Sequence, residues 1–189
     1  LKKRNIPSHK LDSELLLSKV LKKRRAKIIT NLNQKINLIH ISQFNDYIKR
    51  RSSKEPIAYI LKEKEFWSKS FDIEKNTLIP RPETELMVEK LLKIFKNKSP
   101  NVIDIGTGSG CILISLLSEI KNSKGLGIDI SQQSILLAKK NAKKLKVIKK
   151  IKFSRKPLKM LFNYKFDLVM SNPPYIKTKD IKNLQDDIK

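Results

Sequence analysis

Asn101-Val102-Ile103-Asp104-Ile105-Gly106-Thr107-Gly108-Ser109-Gly110 decides the fold: a short apolar run ends in an acid and then in three glycines at alternate positions. The run reads as a buried strand and the glycines as the turn that leads into a helix. The segments that follow repeat the plan. Cys111 to Ile120 is predicted as a helix, Gly125 to Ile130 as a strand, Gln132 to Leu145 as a helix, Val147 to Phe153 as a strand and Phe166 to Met170 as another. Strands alternating with helices predict an α/β class, a doubly wound parallel sheet of Rossmann-like form. In such a sheet ligands sit at the carboxyl ends of the strands, so the loops after Ile105, Ile128 and Met170 are expected to share one crevice.

Glycines at 106, 108 and 110 let ligand atoms approach the backbone, and the amides at the start of the next helix favour an anionic group. A nucleotide-type cofactor held by Gly106, Thr107, Gly108, Ser109 and Gly110 is indicated. A nicotinamide dinucleotide is disfavoured, because its fingerprint G-x-G-x-x-G would place the third glycine where Cys111 stands. Asp129 ends the second strand, where a carboxylate can take both hydroxyls of an adenosine ribose. Asp129 and Ser131 also suit an ordinary helix cap before Gln132. Cys111 at a helix start could be a nucleophile. Without a histidine near it in sequence, it reads instead as a small residue packing the helix on the sheet.

Asn172-Pro173-Pro174-Tyr175 follows the last strand directly. Two prolines carry no amide hydrogen and have a fixed φ, so the carbonyls of Asn172 and Pro173 stay free to accept hydrogen bonds. With the Asn172 side-chain oxygen they suit a planar NH2 group, and Tyr175 offers a face for a flat group. An amide, a base amine and a guanidinium all meet that description.

The first third of the chain reads differently. Leu11, Leu15, Leu16, Val20 and Leu21 fall at helical spacing, as do Ile41, Phe44, Tyr47 and Ile48, with Asn31 to Asn37 as a polar connection and Lys54-Glu55-Pro56 as the end of the unit. A helical domain over 1–62 is expected. Glu65-Phe66-Trp67 and Phe71-Asp72-Ile73, separated by Ser68-Lys69-Ser70, predict a hairpin within a linker over 63–80. Residues 81–189 would form the catalytic domain. Pro80, Arg81 and Pro82 set an extended entry into a helix bearing Leu86, Leu91, Leu92 and Phe95, with acids in its first turn.

Composition excludes several classes. One cysteine forbids an internal disulfide, and with His9 and His40 it makes no zinc spacing, so no metal is expected. A reducing compartment, the cytoplasm, is expected. Leu15 to Leu17 is too short for a signal-peptide core after Lys2-Lys3-Arg4, and no stretch is long enough to span a membrane. The formal net charge is +24, from 42 Lys and Arg against 18 Asp and Glu. That charge permits a nucleic-acid partner without requiring one, since lysine is spread through every segment and Lys22 to Arg25 and Lys49 to Arg51 read as solvent-facing.

Asp104-x-Gly106-x-Gly108-x-Gly110, Asp129 and Asn172-Pro173-Pro174-Tyr175, in this order, resemble an S-adenosylmethionine-dependent methyltransferase acting on a planar nitrogen. Glu55-Pro56-Ile57-Ala58-Tyr59, Glu65-Phe66-Trp67 and Ile79-Pro80-Arg81-Pro82-Glu83-Thr84-Glu85 narrow the resemblance, over nearly the whole chain, to the release factor glutamine N5-methyltransferases. The ribosomal-protein glutamine methyltransferases are similar but usually lack the 81–85 form. The resemblance implies a helical domain that recognises a peptide chain release factor and methylation of the glutamine in that factor's Gly-Gly-Gln loop. It implies S-adenosylmethionine as cofactor, and Asn172, Pro173, Pro174 and Tyr175 as the catalytic set, with Asn172 also near the cofactor. A monomer is expected. Where the family holds adenine with an acid and a tryptophan, this chain has Lys156 and Pro157. The resemblance also expects further strands after Lys189, so a chain ending there reads as truncated, with Phe166 to Met170 as an apolar edge. The alternatives are a nucleic-acid amino-methyltransferase or an inactive fragment that only binds a release factor.

Overall fold

The computed structural model describes residues 1–31, 33–75, 77–155, 157, 160 and 165–173. They divide into two compact units, one of residues 1–61 and one that begins at Lys62.

The first unit is helical: α1 (His9–Leu21), α2 (Arg25–Thr30), α3 (Leu38–Ser52) and α4 (Ile57–Leu61). Leu16 and Val20 of α1, Ile28 of α2 and Ala58 and Ile60 of α4 are buried together with Ile6. Helices α2 and α4 lie where only a basic run and a Pro break are legible in the sequence. They have 6 and 5 residues, too short to show a period, and packing of Ile28, Ala58 and Ile60 holds them. The basic run at 49–51 is not all solvent-facing either. Arg51 is 7% exposed, and its Nε donates to Asp12 Oδ2 at 2.7 Å. Ser8 Oγ donates to the same carboxylate oxygen at 2.8 Å. Removing either ion would leave the other buried and unpaired, a cost of roughly 3–5 kcal/mol.

The second unit opens with a hairpin of β1 (Glu63–Phe66) and β2 (Lys69–Asp72), paired antiparallel with Phe66 opposite Lys69. The turn is therefore Trp67-Ser68, earlier than the expected Ser68 to Ser70. Both turn residues have φ of +52°, the twist that two-residue hairpins favour although neither is glycine or asparagine. A hydrogen bond from the Trp67 N–H to Glu85 Oε1, 2.7 Å, holds this turn against α5 (Glu85–Phe95).

A parallel sheet follows, in the order β5-β4-β3-β6: β3 (Asn101–Ile105), β4 (Lys124–Ile128), β5 (Ile151–Ser154) and β6 (Leu168–Ser171). Helix α6 (Cys111–Glu119) crosses from β3 to β4, and α7 (Gln132–Lys144) from β4 to β5. Chain order runs outward from β3 to β5 and then reverses to β6, so the switch point lies between β3 and β6. Residues 147–150, expected as strand, instead form a 3-10 turn at Ile148–Lys150, and β5 begins at Ile151. Lys150 explains this turn, since its Nζ donates to the carbonyls of Leu117 and Ile120 at the end of α6, both at 2.8 Å. Strand β6 starts at Leu168 rather than Phe166, with the Asp167 N–H donating to the Asn101 carbonyl at its entry.

Helix α6 is buried from Cys111 to Leu117, as a stretch apolar but for Ser115 requires. It lies flush on the sheet because Gly125 has no side chain: a Cβ there would stand 2.5 Å from Leu117 Cδ1 and 2.9 Å from Leu113 Cδ1. No helix among the described residues is long and apolar enough to cross a membrane.

Candidate functional site

The three loops meet at the carboxyl end of the sheet. After β3 the chain turns back on β4: the N–H groups of Gly106 and Thr107 both donate to the Ile128 carbonyl, at 2.9 and 3.0 Å. Gly110 N–H closes the turn on the Thr107 carbonyl at 2.8 Å, and Gly110 then serves as the N-cap of α6. Glycine is needed at 106 and 110 for opposite reasons. Gly110, at φ +80°, is pressed against its surroundings, and a Cβ there would lie 2.8 Å from Ile114 Cδ1 and 3.2 Å from Ala138 Cβ. Gly106, at φ +74°, has nothing within 4 Å of where a Cβ would point. The backbone is thus bare toward an open space at Gly106, the place for ligand atoms to approach.

Asp129 joins the first loop to the second. Its Oδ2 accepts from the Gly108 N–H at 2.9 Å and its Oδ1 from the Ser131 N–H at 2.9 Å. A carboxylate has about four acceptor positions, so half of Asp129's capacity is left for hydroxyl donors. The helix-cap reading holds as well, and it belongs to Ser131, whose Oγ accepts from the Ser134 N–H at 3.3 Å. The half-buried Asp129, with acceptor positions to spare, fits the ribose hydroxyls of a nucleoside-type cofactor, and the open space at Gly106 leaves room for the rest of it to pass close to the backbone.

Beneath this loop Asp104 is 1% exposed, and burial pushes its carboxyl up to about 6. A hydrogen bond from Thr107 Oγ1 at 2.7 Å opposes that rise, and the nearby Asp129 charge adds to it. Cys111 is buried too, and its thiol is pushed up to about 12 by desolvation. A thiolate nucleophile is not available there near neutral pH.

The third loop arrives from β6. Ser171 Oγ donates to the Ile105 carbonyl at 3.0 Å, tying the end of β6 to the end of β3. Asn172 follows, half-buried, and then Pro173, exposed. Pro174, Tyr175 and Lys156 lie outside the described residues. Pro157 is exposed.

One residue of this arrangement escaped sequence reading. Asn141 of α7 is fully buried and its side chain hydrogen-bonds the carbonyl of Ser109. The available signal was positional, since Asn141 lies on the same helical stripe as Leu137 and Ala138. A groove of about 630 Å³ runs over the sheet from Val102 and Gly125 near the amino ends of β3 and β4 to Phe153 and Ser154 of β5.

Residues 1–61 match the PrmC N-terminal domain, and residues 82–188 match the methyltransferase small domain. The chain is 42% identical over 187 residues to the release factor glutamine methyltransferase of Buchnera aphidicola subsp. Baizongia pistaciae, covering 98% of this chain and 67% of that relative. This chain belongs to the release factor glutamine methyltransferase family. A member from Clostridium acetobutylicum is 40% identical over 195 residues, covering 100% of this chain and 68% of its own length. One from Caulobacter vibrioides is 36% identical over 191 residues, covering 100% and 66%. The chain therefore spans about two thirds of the length of these family members. The fold of the second unit is that of the S-adenosylmethionine-dependent methyltransferases, preceded by a helical unit, as the sequence resemblance implied.

Proposed function

We propose that this chain transfers a methyl group from S-adenosylmethionine to the side-chain amide nitrogen, N5, of the glutamine in the Gly-Gly-Gln motif of a peptide chain release factor. The observation that carries this reading is the meeting of Gly108 with Asp129 at 2.9 Å beside a β6 end tied to β3 through Ser171. Family membership supplies the reaction class.

Gly106, Thr107, Gly108, Ser109 and Gly110 would hold the amino-acid end of the cofactor, Asp129 the ribose hydroxyls, and Asn172 would border both cofactor and substrate. The bound cofactor supplies an electrophilic methyl group on a positively charged sulfur. An amide nitrogen is a poor nucleophile because its lone pair is shared with the carbonyl, so the chain's contribution is positioning. The Asn172 Oδ1 and the Pro173 carbonyl accept the two amide hydrogens and fix the plane and direction of the nitrogen. Pro174 and Tyr175, which complete the motif, would complete the acceptor set. No strong base is required before attack, since the methylated amide loses its proton readily. Residues 1–62 would recognise the release factor, 63–80 link, and 81–189 carry the transfer. A release-factor substrate would place the enzyme in the cytoplasm, and we take it to act as a monomer.

The test is intact-protein mass spectrometry of a purified release factor incubated with this chain and S-adenosylmethionine, followed by peptide mapping. One added methyl group on the Gly-Gly-Gln glutamine is expected. The net charge of +24 leaves room for a second reading, methylation of a nucleic-acid amino group. Methyl groups transferred to RNA or DNA under the same conditions, with none on the release factor, would establish that alternative. Release-factor binding without any transfer would identify a binding fragment.

A further inference from the structure

We propose that Asn141 is a positioning residue for the glycine-rich loop, locking the loop from behind while Asp129 holds it from the crevice side. Its importance for methyl transfer rests on the reading above, that this loop holds the cofactor.

Asn141 is 0% exposed and makes three hydrogen bonds. Its Nδ2 donates to the Ser109 carbonyl at 2.9 Å and to the Asp72 carbonyl at 3.1 Å, and its Oδ1 accepts from the Asp72 N–H at 2.8 Å. Both amide protons are used, and the partners dictate the orientation: a flipped amide would set its oxygen against two carbonyls. Asn141 meets Asp72 as a neighbouring strand would, through one donor and one acceptor. Its second proton then reaches the loop. Ser109 is 2% exposed, so no water can substitute freely at its carbonyl.

Nothing else of similar size serves. Leucine would fill the volume and leave the buried Ser109 carbonyl and the part-buried N–H and carbonyl of Asp72 unanswered, whereas aspartate would answer only the Asp72 N–H. The Asp72 strand is also fastened to α7 by ion pairs from its carboxylate to Lys140 at 2.8 Å and Lys144 at 2.6 Å. Those lysines hold the hairpin without touching the loop, which makes them the natural control. With Ser109 pinned, the Gly108 N–H is left aimed at Asp129. Release of Ser109 would let the loop rotate and lose that register.

Amide hydrogen exchange followed by NMR tests this without any cofactor. In Asn141→Leu, exchange at Gly108 and Gly110 should rise at least tenfold more than at Ile103 and Leu126 in the central strands. The Lys140→Ala, Lys144→Ala double variant should show no such excess. A merely structural Asn141 would raise loop and strand exchange together, which would overturn the proposal. Should Asn141→Leu not fold, the unmodified chain decides: both Nδ2 protons of Asn141 should exchange at least tenfold more slowly than those of exposed Asn5, and equal rates would overturn it. Calorimetry with S-adenosylhomocysteine separates the two readings. An affinity at least tenfold weaker in Asn141→Leu is expected, and an unchanged affinity refutes the positioning role. If the variants show the expected exchange pattern but the unmodified chain binds no S-adenosylhomocysteine, the cofactor reading fails while the role of Asn141 in the loop stands.

Discussion

The loop after β3 and the loop after β6 meet at one end of the sheet but are built on opposite plans. The first is closed on itself: Gly106, Thr107, Gly108 and Gly110 donate their N–H groups within the chain, to Ile128, Asp129 and Thr107. The second is tied back through the Ser171 hydroxyl, and its sequence then removes donors by placing proline at 173 and 174. One loop is shaped before any ligand comes, and the other presents acceptors. A site that must hold a cofactor and orient an NH2 group calls for that division, because preorganised groups cost no reorganisation when the reaction occurs.

Four measurements would break or sharpen the contrast, taken from the largest effect down. Replacing Asn172 by Ala should lower turnover by about 100- to 1000-fold, the loss typical of one positioned polar group, with S-adenosylhomocysteine affinity nearly unchanged. A variant with normal turnover would remove Asn172 from the acceptor set. Gly110→Ala should destabilise the second unit by about 2–4 kcal/mol in urea unfolding, from an unfavourable positive φ added to overlap with Ile114 and Ala138. A loss below about 1 kcal/mol would mean that α6 and α7 can move apart there.

Asp104 gives the third, through pH. Its folded carboxyl sits at about 6 against 3.8 in the ordinary case, so the folded chain binds the proton more tightly than the unfolded one. Stability should therefore fall as pH rises from about 4 to about 6 and level off above, by up to ~3 kcal/mol. Asp104→Asn should abolish that slope, and an unchanged slope would assign it elsewhere. Smallest is Gly106→Ala, where only the positive φ opposes a side chain: about 1 kcal/mol of stability is expected to go. If the open space there receives the cofactor, its affinity should fall far more than its modest cost in stability suggests.

Much of this was legible along the chain because the periodicities are local. The alternation of strand and helix, the glycine loop, Asp129 and the position of Asn172 after a strand need only neighbours in sequence to be recognised. What was missed depends on partners far away. The hairpin turn falls at Trp67-Ser68 because Glu85, 18 residues on, accepts the turn N–H. Arg51 looked like part of a solvated basic run and is instead buried against Asp12, 39 residues earlier. The 3-10 turn at Ile148–Lys150 replaced an expected strand because Lys150 reaches the end of α6. In each case a tertiary hydrogen bond outweighed a local preference worth less than about 1 kcal/mol.

By itself, the sequence determined the class of sheet, the order of its loops and the chemistry of the acceptor motif, since these follow from local pattern and residue type. Only the tertiary structure decided that Gly106 opens on empty space while Gly110 is packed shut, that Asp129 grips Gly108, and that Asn141 reaches Ser109. Those outcomes turn on distances of a few ångströms between elements 20 to 70 residues apart, and spacing along a chain carries no record of such distances.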